Sequence, residues 1–376
     1  MKATKKKDLK RTALGLALWA ILIAPAFAGG SKDAKAAETL DLSALSEAEL
    51  AAGAKKEGKI ESVAMPDDWA DWATSWKAIT AKYGIQHFDT DMGSAEEIQI
   101  FKAEKDSPTK DIGDVGHSYG LVAIGEDVVQ PYKPKTWAGI PDWAKDPEGR
   151  WALSYTGTIA FAVNTDKTGG VLPKSWAELK ASGLPVTMGN VISSSSPQVA
   201  VISCALAYGG SLANVRPGIE YFKDLAKEGR IDPGSYSRTR LGNGEITVLA
   251  GRYDLSGLQY RDLIAAAGGP KIEVTIPQDG AVTSGYCLIF NKYSPHPHAT
   301  ALAIEYMFSD EGQIDRARGY ARPIREDVTI PEDIKARMLP DSLYARATRI
   351  TDPAALQKAQ TEVARLWEEE VVPLIK

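Results

Sequence analysis

WALSYTGTIAFAVN, residues 151–164, reads as one long strand of aromatic, β-branched and small apolar residues with a glycine, Gly157, near its middle. A strand of this length runs out of one lobe of a protein and into the next. A second stretch carries the chain back, from Val274-Thr275-Ile276-Pro277 through Ser284-Gly285-Tyr286-Cys287-Leu288-Ile289-Phe290. Gly157, Gly285 and Pro277 lie near these crossings and suit hinges that absorb dihedral change. The pattern implies two lobes joined by two strands.

Outward from the crossings, strands alternate with helices. Ile60–Met65 reads as a strand, and Pro66-Asp67-Asp68-Trp69 opens a helix whose apolar face is Trp69, Trp72, Trp76, Ile79 and Tyr83. Gln86–Asp89 precedes a helix from Ser94, Ile112–Val115 precedes a helical stretch beyond Tyr119, and Val186–Met188 precedes a helix after Ser196-Pro197. Repeated strand, turn and helix place the chain in the α/β class. Polar turns at the carboxyl ends of such strands gather unpaired amides and side-chain oxygens, which is where open α/β sheets bind ligands. Leu40–Lys56 has helical spacing, with Ser43 and Ser46 as caps.

The amino terminus has the form of a secretory leader: a basic stretch from Lys2 to Arg11, an apolar run from Ala13 to Ile23, and Ala26-Phe27-Ala28. Cleavage is expected after Ala28, with a small polar linker over 29–39. Without a cysteine at the junction, no lipid anchor is expected, and the mature protein should diffuse in the periplasm. The chain has 44 Lys+Arg against 49 Asp+Glu; removing the leader takes the formal charge from −5 to −10. Such an acidic chain with no basic stripe is not expected to bind nucleic acid. Cys204 and Cys287 each sit among apolar residues, which favours two separately buried thiols over the disulfide that an exported protein could form, and they do not suggest a metal site.

Three segments resemble the bacterial extracellular solute-binding proteins of ABC importers, in the branch that serves ferric iron, thiamine, polyamines, phosphonates and sugar phosphates. They are Leu50-Ala51-Ala52-Gly53-Ala54-Lys55-Lys56-Glu57-Gly58-Lys59-Ile60, then Asn291–Ala299 with Ala301–Phe308 and Ser309-Asp310-Glu311-Gly312-Gln313, and Gly319-Tyr320-Ala321-Arg322-Pro323-Ile324-Arg325. The resemblance implies a two-lobed type II periplasmic binding protein fold with a two-strand hinge. One lobe would run from 40 to 157 and be completed by 285–376; the other would be 158–284. It also implies a monomeric receptor for a small solute, with importer membrane subunits as partners and with neither catalysis nor a cofactor.

Candidate ligand contacts come from the turns. Asn190 and Ser193-Ser194-Ser195-Ser196 before Pro197 would aim hydroxyls and free amides at one point, a nest for phosphate, phosphonate or carboxylate; plain helix capping is the competing role. Ser94 does the same from the first lobe, though Glu97 three residues on also fits an ordinary capping box. Asp68 and Asp114 offer acceptors for hydroxyls or an ammonium, and Trp69, Tyr119 and Tyr260 offer rings. Thr156, Thr158 and Gln259 complete the set. Both signs of charge suit a polar organic solute with an anionic group. Two other readings stand beside it. A ferric-iron or polyamine receptor shares the fold, but no Tyr-Tyr pair occurs. A secreted serine hydrolase would use Ser118 in Gly116-His117-Ser118-Tyr119-Gly120, with Asp279 and His296 or His298 to complete a triad.

Overall fold

The structure is a computed structural model that describes residues 41–376; the expected leader and linker lie outside the described residues. Helix α1 (Glu47–Glu57) starts at a reciprocal capping box, Ser46 with Glu49. There follow β1 (Lys59–Val63), α2 (Trp72–Tyr83), β2 (Gln86–Thr90), α3 (Ser94–Ala103), β3 (Ile112–Gly116) and α4 (Tyr119–Gly125). Strand β1 pairs in parallel with β2 on one side and β3 on the other. The helix expected from Pro66 begins only at Trp72, because Ala64, Ala70 and Asp71 hold φ of 57°, 49° and 54°. Left-handed backbone cannot continue a right-handed helix, so residues 64–71 form a turn that carries Trp69 outside it.

Strand β4 (Ala152–Asn164) is the expected long strand, and every one of its residues is buried. The second half of the fold follows as α5 (Trp176–Ala181), β5 (Val186–Thr187), α6 (Ser195–Ala207), α7 (Arg216–Lys227), β6 (Ile231–Asp232), α8 (Arg238–Gly242), β7 (Val248–Tyr253), α9 (Asp254–Ala266), β8 (Ile272–Thr275) and β9 (Val282–Phe290). From Ala152 to Thr158, β4 pairs with β9; from Ile159 onward it pairs with β7 and β8. One strand therefore belongs to two sheets, ordered β2-β1-β3-β9-β4 and then β4-β7-β5-β6. An unbroken apolar run is what burial on both faces demands.

The two glycines of the crossings are also required by close approach. A Cβ on Gly285 would stand 2.3 Å from the Tyr155 carbonyl oxygen across the β4–β9 pair, and one on Gly157 would stand 2.7 Å from Cβ of Tyr253. Beyond β9 come α10 (Pro297–Met307), α11 (Asp310–Arg318), β10 (Arg322–Pro323) on the edge of β4, α12 (Glu332–Lys335), β11 (Thr348–Arg349) and α13 (Pro353–Leu366). Helix α13 buries Leu356, Ala359, Val363 and Leu366 and lies against both α4 and α6. After it, Trp367 packs edge-on to Phe222 of α7, with ring centroids 5.3 Å apart. The end of the chain, expected within the first lobe, thus also touches the helices of the second. Cys204 in α6 and Cys287 in β9 are both buried free thiols.

Gly285→Ala should lower stability by about 1–3 kcal/mol, the usual cost of forcing a methyl into a packed core. The midpoint of urea unfolding reads this; an unchanged midpoint would mean that the backbone yields freely at this crossing.

Candidate functional site

A cavity of about 260 Å³ lies where the carboxyl ends of β1 and β2 face those of β5, β6 and β7. Its most unusual occupant is Arg252, near the end of β7. The guanidinium carbon sits 4.2 Å from the centroid of the Trp69 ring and 4.0 Å from that of Tyr236, so the group is stacked between the two halves of the fold. Nη1 donates to Ser196 Oγ at 3.2 Å, while Nε is buried without a partner. The side chain is 9% exposed and forms no ion pair among the described residues. A charge removed from water without an ion pair is costly; Asp91 across the cavity offsets part of that cost, and an anion from outside adds to the compensation.

The turn at residues 64–71 exists in this form because Trp69 is held from behind. Its indole N–H donates to the Tyr155 hydroxyl, which in turn donates to Asp114 Oδ2 at 2.5 Å. The indole also packs edge-on to Tyr286, with centroids 5.3 Å apart. Asp114 therefore acts through Tyr155 and Trp69 and does not line the cavity. Burial raises its carboxyl to about 7, against the lowering effect of the Tyr155 hydroxyl and Arg316.

Serines from both halves meet at the cavity. Ser94 is the first residue of α3 and its Oγ accepts the Gly116 amide at 3.0 Å. The capping box expected from Ser94 and Glu97 does not form: Gly93, one residue earlier, is the cap, and only its amide bonds, donating to Glu96 at 3.0 Å. Glu97 is buried instead, and accepts the Asp114 amide at 3.1 Å. On the other side Ser194 caps α6 without using its hydroxyl, and the first-turn amides of Ser195 and Ser196 have no helical acceptor. The halves touch here, since a Cβ on Gly93 would lie 3.0 Å from the Ser193 carbonyl oxygen and 3.2 Å from Ser194 Oγ.

Acids line the remaining wall. Burial raises the Asp91 carboxyl, with Arg252 opposing and Asp68 adding to the rise. Glu97 is pushed up by burial and by neighbouring Asp114. The cavity thus pairs a cationic, donor-rich side with an acceptor side at Asp68 and Asp91.

Of the residues expected from sequence, Asp68, Trp69, Ser94, Ser194, Ser195 and Tyr260 line this cavity. Ser196 stands behind it, bonded to Arg252. Asn190 lines a separate cavity with Met188 and Trp367, its Oδ1 accepting the amides of Ile192 and Ser193 at 3.1 Å each. Four more residues lie elsewhere. Tyr119 points at Gln198 beneath α13, with 3.4 Å between Oη and Oε1. Thr156 and Thr158 are committed to strand pairing, Thr158 also donating its amide to Asp254 at 2.9 Å. Gln259 is on α9 outside the lining. Sequence reasoning missed Arg252, Tyr236, Arg238 and Tyr286. A signal existed for the first: Arg252 is the one cation in the apolar run Val248-Leu249-Ala250-Gly251-Arg252-Tyr253. The hydrolase triad is not assembled. Ser118 donates to Gln360, while Asp279 accepts the amides of Trp176 and Ala177, His296 bonds Asp111 and His298 bonds Glu57.

Residues 107–342 match the family of bacterial extracellular solute-binding proteins. No curated protein sequence matches the chain. Among solved structures it is similar to the periplasmic binding protein AfuA from Actinobacillus pleuropneumoniae with exogenous fructose-6-phosphate bound, at 17% identity over 83% of this chain and 98% of that one, TM-score 0.66. Iron-bound HitA from Pseudomonas aeruginosa is similar at 17% identity over 83% and 98%, TM-score 0.65. The ferric binding protein from Campylobacter jejuni is similar at 16% identity over 82% and 98%, TM-score 0.61. The fold is the two-lobed type II periplasmic binding fold.

The raised Asp114 carboxyl has a pH consequence. Between about 4, its ordinary value, and about 7, the folded chain holds a proton that the unfolded chain has released, so stability falls as pH rises through that window. Asp114→Asn should flatten this fall when unfolding midpoints are compared at about pH 5 and about pH 8. An equally steep fall in the variant would place the titration elsewhere.

Proposed function

The chain belongs to the bacterial extracellular solute-binding proteins, and from that premise we propose that it is the receptor of an ABC-type importer that captures a small polar organic solute by an anionic group. The observation that carries this is Arg252, buried without an ion pair among the described residues and beside the free amino end of α6. A phosphate, phosphonate or carboxylate placed there would meet a guanidinium, serine hydroxyls and helix-terminal amides together. Asp68 and Asp91 on the acceptor side suit hydroxyls or an amine on the same molecule. The fructose-6-phosphate of AfuA has that make-up, and the cavity volume fits a solute of modest size.

Mechanism follows from where the contacts originate. Trp69 and Ser94 come from one half, and Ser194, Ser195, Arg252 and Tyr260 from the other, so a solute touching both favours the closed arrangement. The importer's membrane subunits then read the closed shape. The solute must bind that state more tightly than the open one, since equal affinity would shift nothing.

Iron and polyamines fit less well. The Arg252 guanidinium, in contact with Tyr236 and lining the same cavity as Tyr260 and Tyr286, repels a cation. The same repulsion opposes a polyamine.

Calorimetry with inorganic phosphate, fructose 6-phosphate, spermidine and ferric citrate tests the reading. The anions should bind, and Arg252→Ala should weaken them at least ten- to a hundredfold, since each charge-assisted hydrogen bond is worth about 1.5–3 kcal/mol. Arg252→Lys, which keeps the charge and loses the planar fork, should fall between. Spermidine or iron binding that survives Arg252→Ala, with no anion bound by the wild type, would overturn it.

A further inference from the structure

Gln360 lies on α13, outside the cavity and 2% exposed, yet it bridges the two halves at the ligand site. Its amide can face only one way. Nε2 is 3.0 Å from Ser195 Oγ and 3.3 Å from the Ser195 carbonyl oxygen; a carbonyl only accepts, so the nitrogen must face Ser195. Oε1 then faces Ser118, at the start of α4, whose hydroxyl donates to it.

This orientation propagates. Ser195 Oγ accepts a hydrogen bond from the Gln360 amide and keeps its own hydrogen to donate. Ser94 is arranged alike, because its Oγ receives the Gly116 amide. The two hydroxyls flank the same residue: a Cβ on Gly116 would stand 2.1 Å from Ser195 Oγ. Both serines are buried and both line the cavity.

Resting on the anion reading above, we infer that Gln360 is a positioning residue that fixes Ser195 as a hydrogen-bond donor to the solute, through a one-way relay from Ser118 to Gln360 to Ser195. The GHSYG motif, a hydrolase signature on paper, supplies the first donor of that relay. Selectivity for an acceptor-rich anion is then set in part by a side chain that never touches it.

The relay has a chemical test. An ionised glutamate at 360 offers only acceptors; it draws the Ser195 proton inward and opposes the Ser195 carbonyl with a second oxygen. A protonated glutamic acid carries one donor and one acceptor, the pattern of the amide. Gln360→Glu should therefore bind inorganic phosphate about ten- to a hundredfold more weakly than wild type near pH 8, the value of one lost charge-assisted bond. The ratio of its affinity to that of wild type at the same pH should recover toward one near about pH 5, as the buried carboxyl takes up a proton.

Gln360→Met keeps the length and removes both polar ends, so its loss should be the same at every pH; it also serves if the glutamate variant does not fold. In a Ser195→Ala background Gln360→Glu should cost little more affinity. Phosphate binding by Gln360→Glu and Gln360→Met equal to wild type would overturn the relay, while loss with Arg252→Ala would still leave the anion reading standing. Binding of neither inorganic phosphate nor fructose 6-phosphate by the wild type would overturn both.

Discussion

A guanidinium buried between two aromatic rings with no carboxylate in ion-pair contact is the constraint around which this structure is organised. Arg252 is stacked on Trp69 from one half and Tyr236 from the other, with one nitrogen left unpartnered. Desolvating a cation is tolerable only where something of opposite sign completes the site. The backbone amides of α6 and the serine hydroxyls point the same way, since each is a donor lacking an acceptor. Arg252, the α6 amides and the two hydroxyls ask for one thing, an anion, and they are brought together by elements far apart in the chain.

That convergence depends on β4. Because one buried strand serves two sheets, the turns after β1 and β2 are held opposite those after β5, β6 and β7. Behind the cavity, Asp114 fixes Tyr155, Tyr155 fixes Trp69, and Trp69 covers Arg252. The helix at the end of the chain adds a second tie, with Gln360 joined to Ser118 on one side and Ser195 on the other. Cavity and scaffold are thus one hydrogen-bonded system, which is why residues that never line the cavity still bear on it.

Local patterns in the sequence showed much of this. The apolar run at 151–164 reads as a long strand because burial on both faces leaves no polar alternation to disguise it. The polar stretch before Pro197 was legible because composition at a strand end reports a turn. What stayed hidden was set at long range. Arg252 looks like an ordinary strand residue until Tyr236 and Trp69 are seen on either side of it. Gln360 belongs to a surface-patterned helix, and its partners are 165 and 242 residues away. The helix start at Trp72 was missed because left-handed backbone at Ala70 and Asp71 carries no glycine to announce it. The cap at Gly93 was missed because a neighbouring serine is the better cap by type.

A crystal structure of the protein purified from its native compartment, with whatever solute it carries, tests the central claim most directly. The account predicts an anionic group against the Arg252 guanidinium, within hydrogen-bond reach of Ser195 Oγ and the α6 amides, with the rest of the molecule toward Asp68 and Asp91. A bare metal ion held by Tyr260 and Tyr286, or an amine seated on the Arg252 side of the cavity, would contradict it.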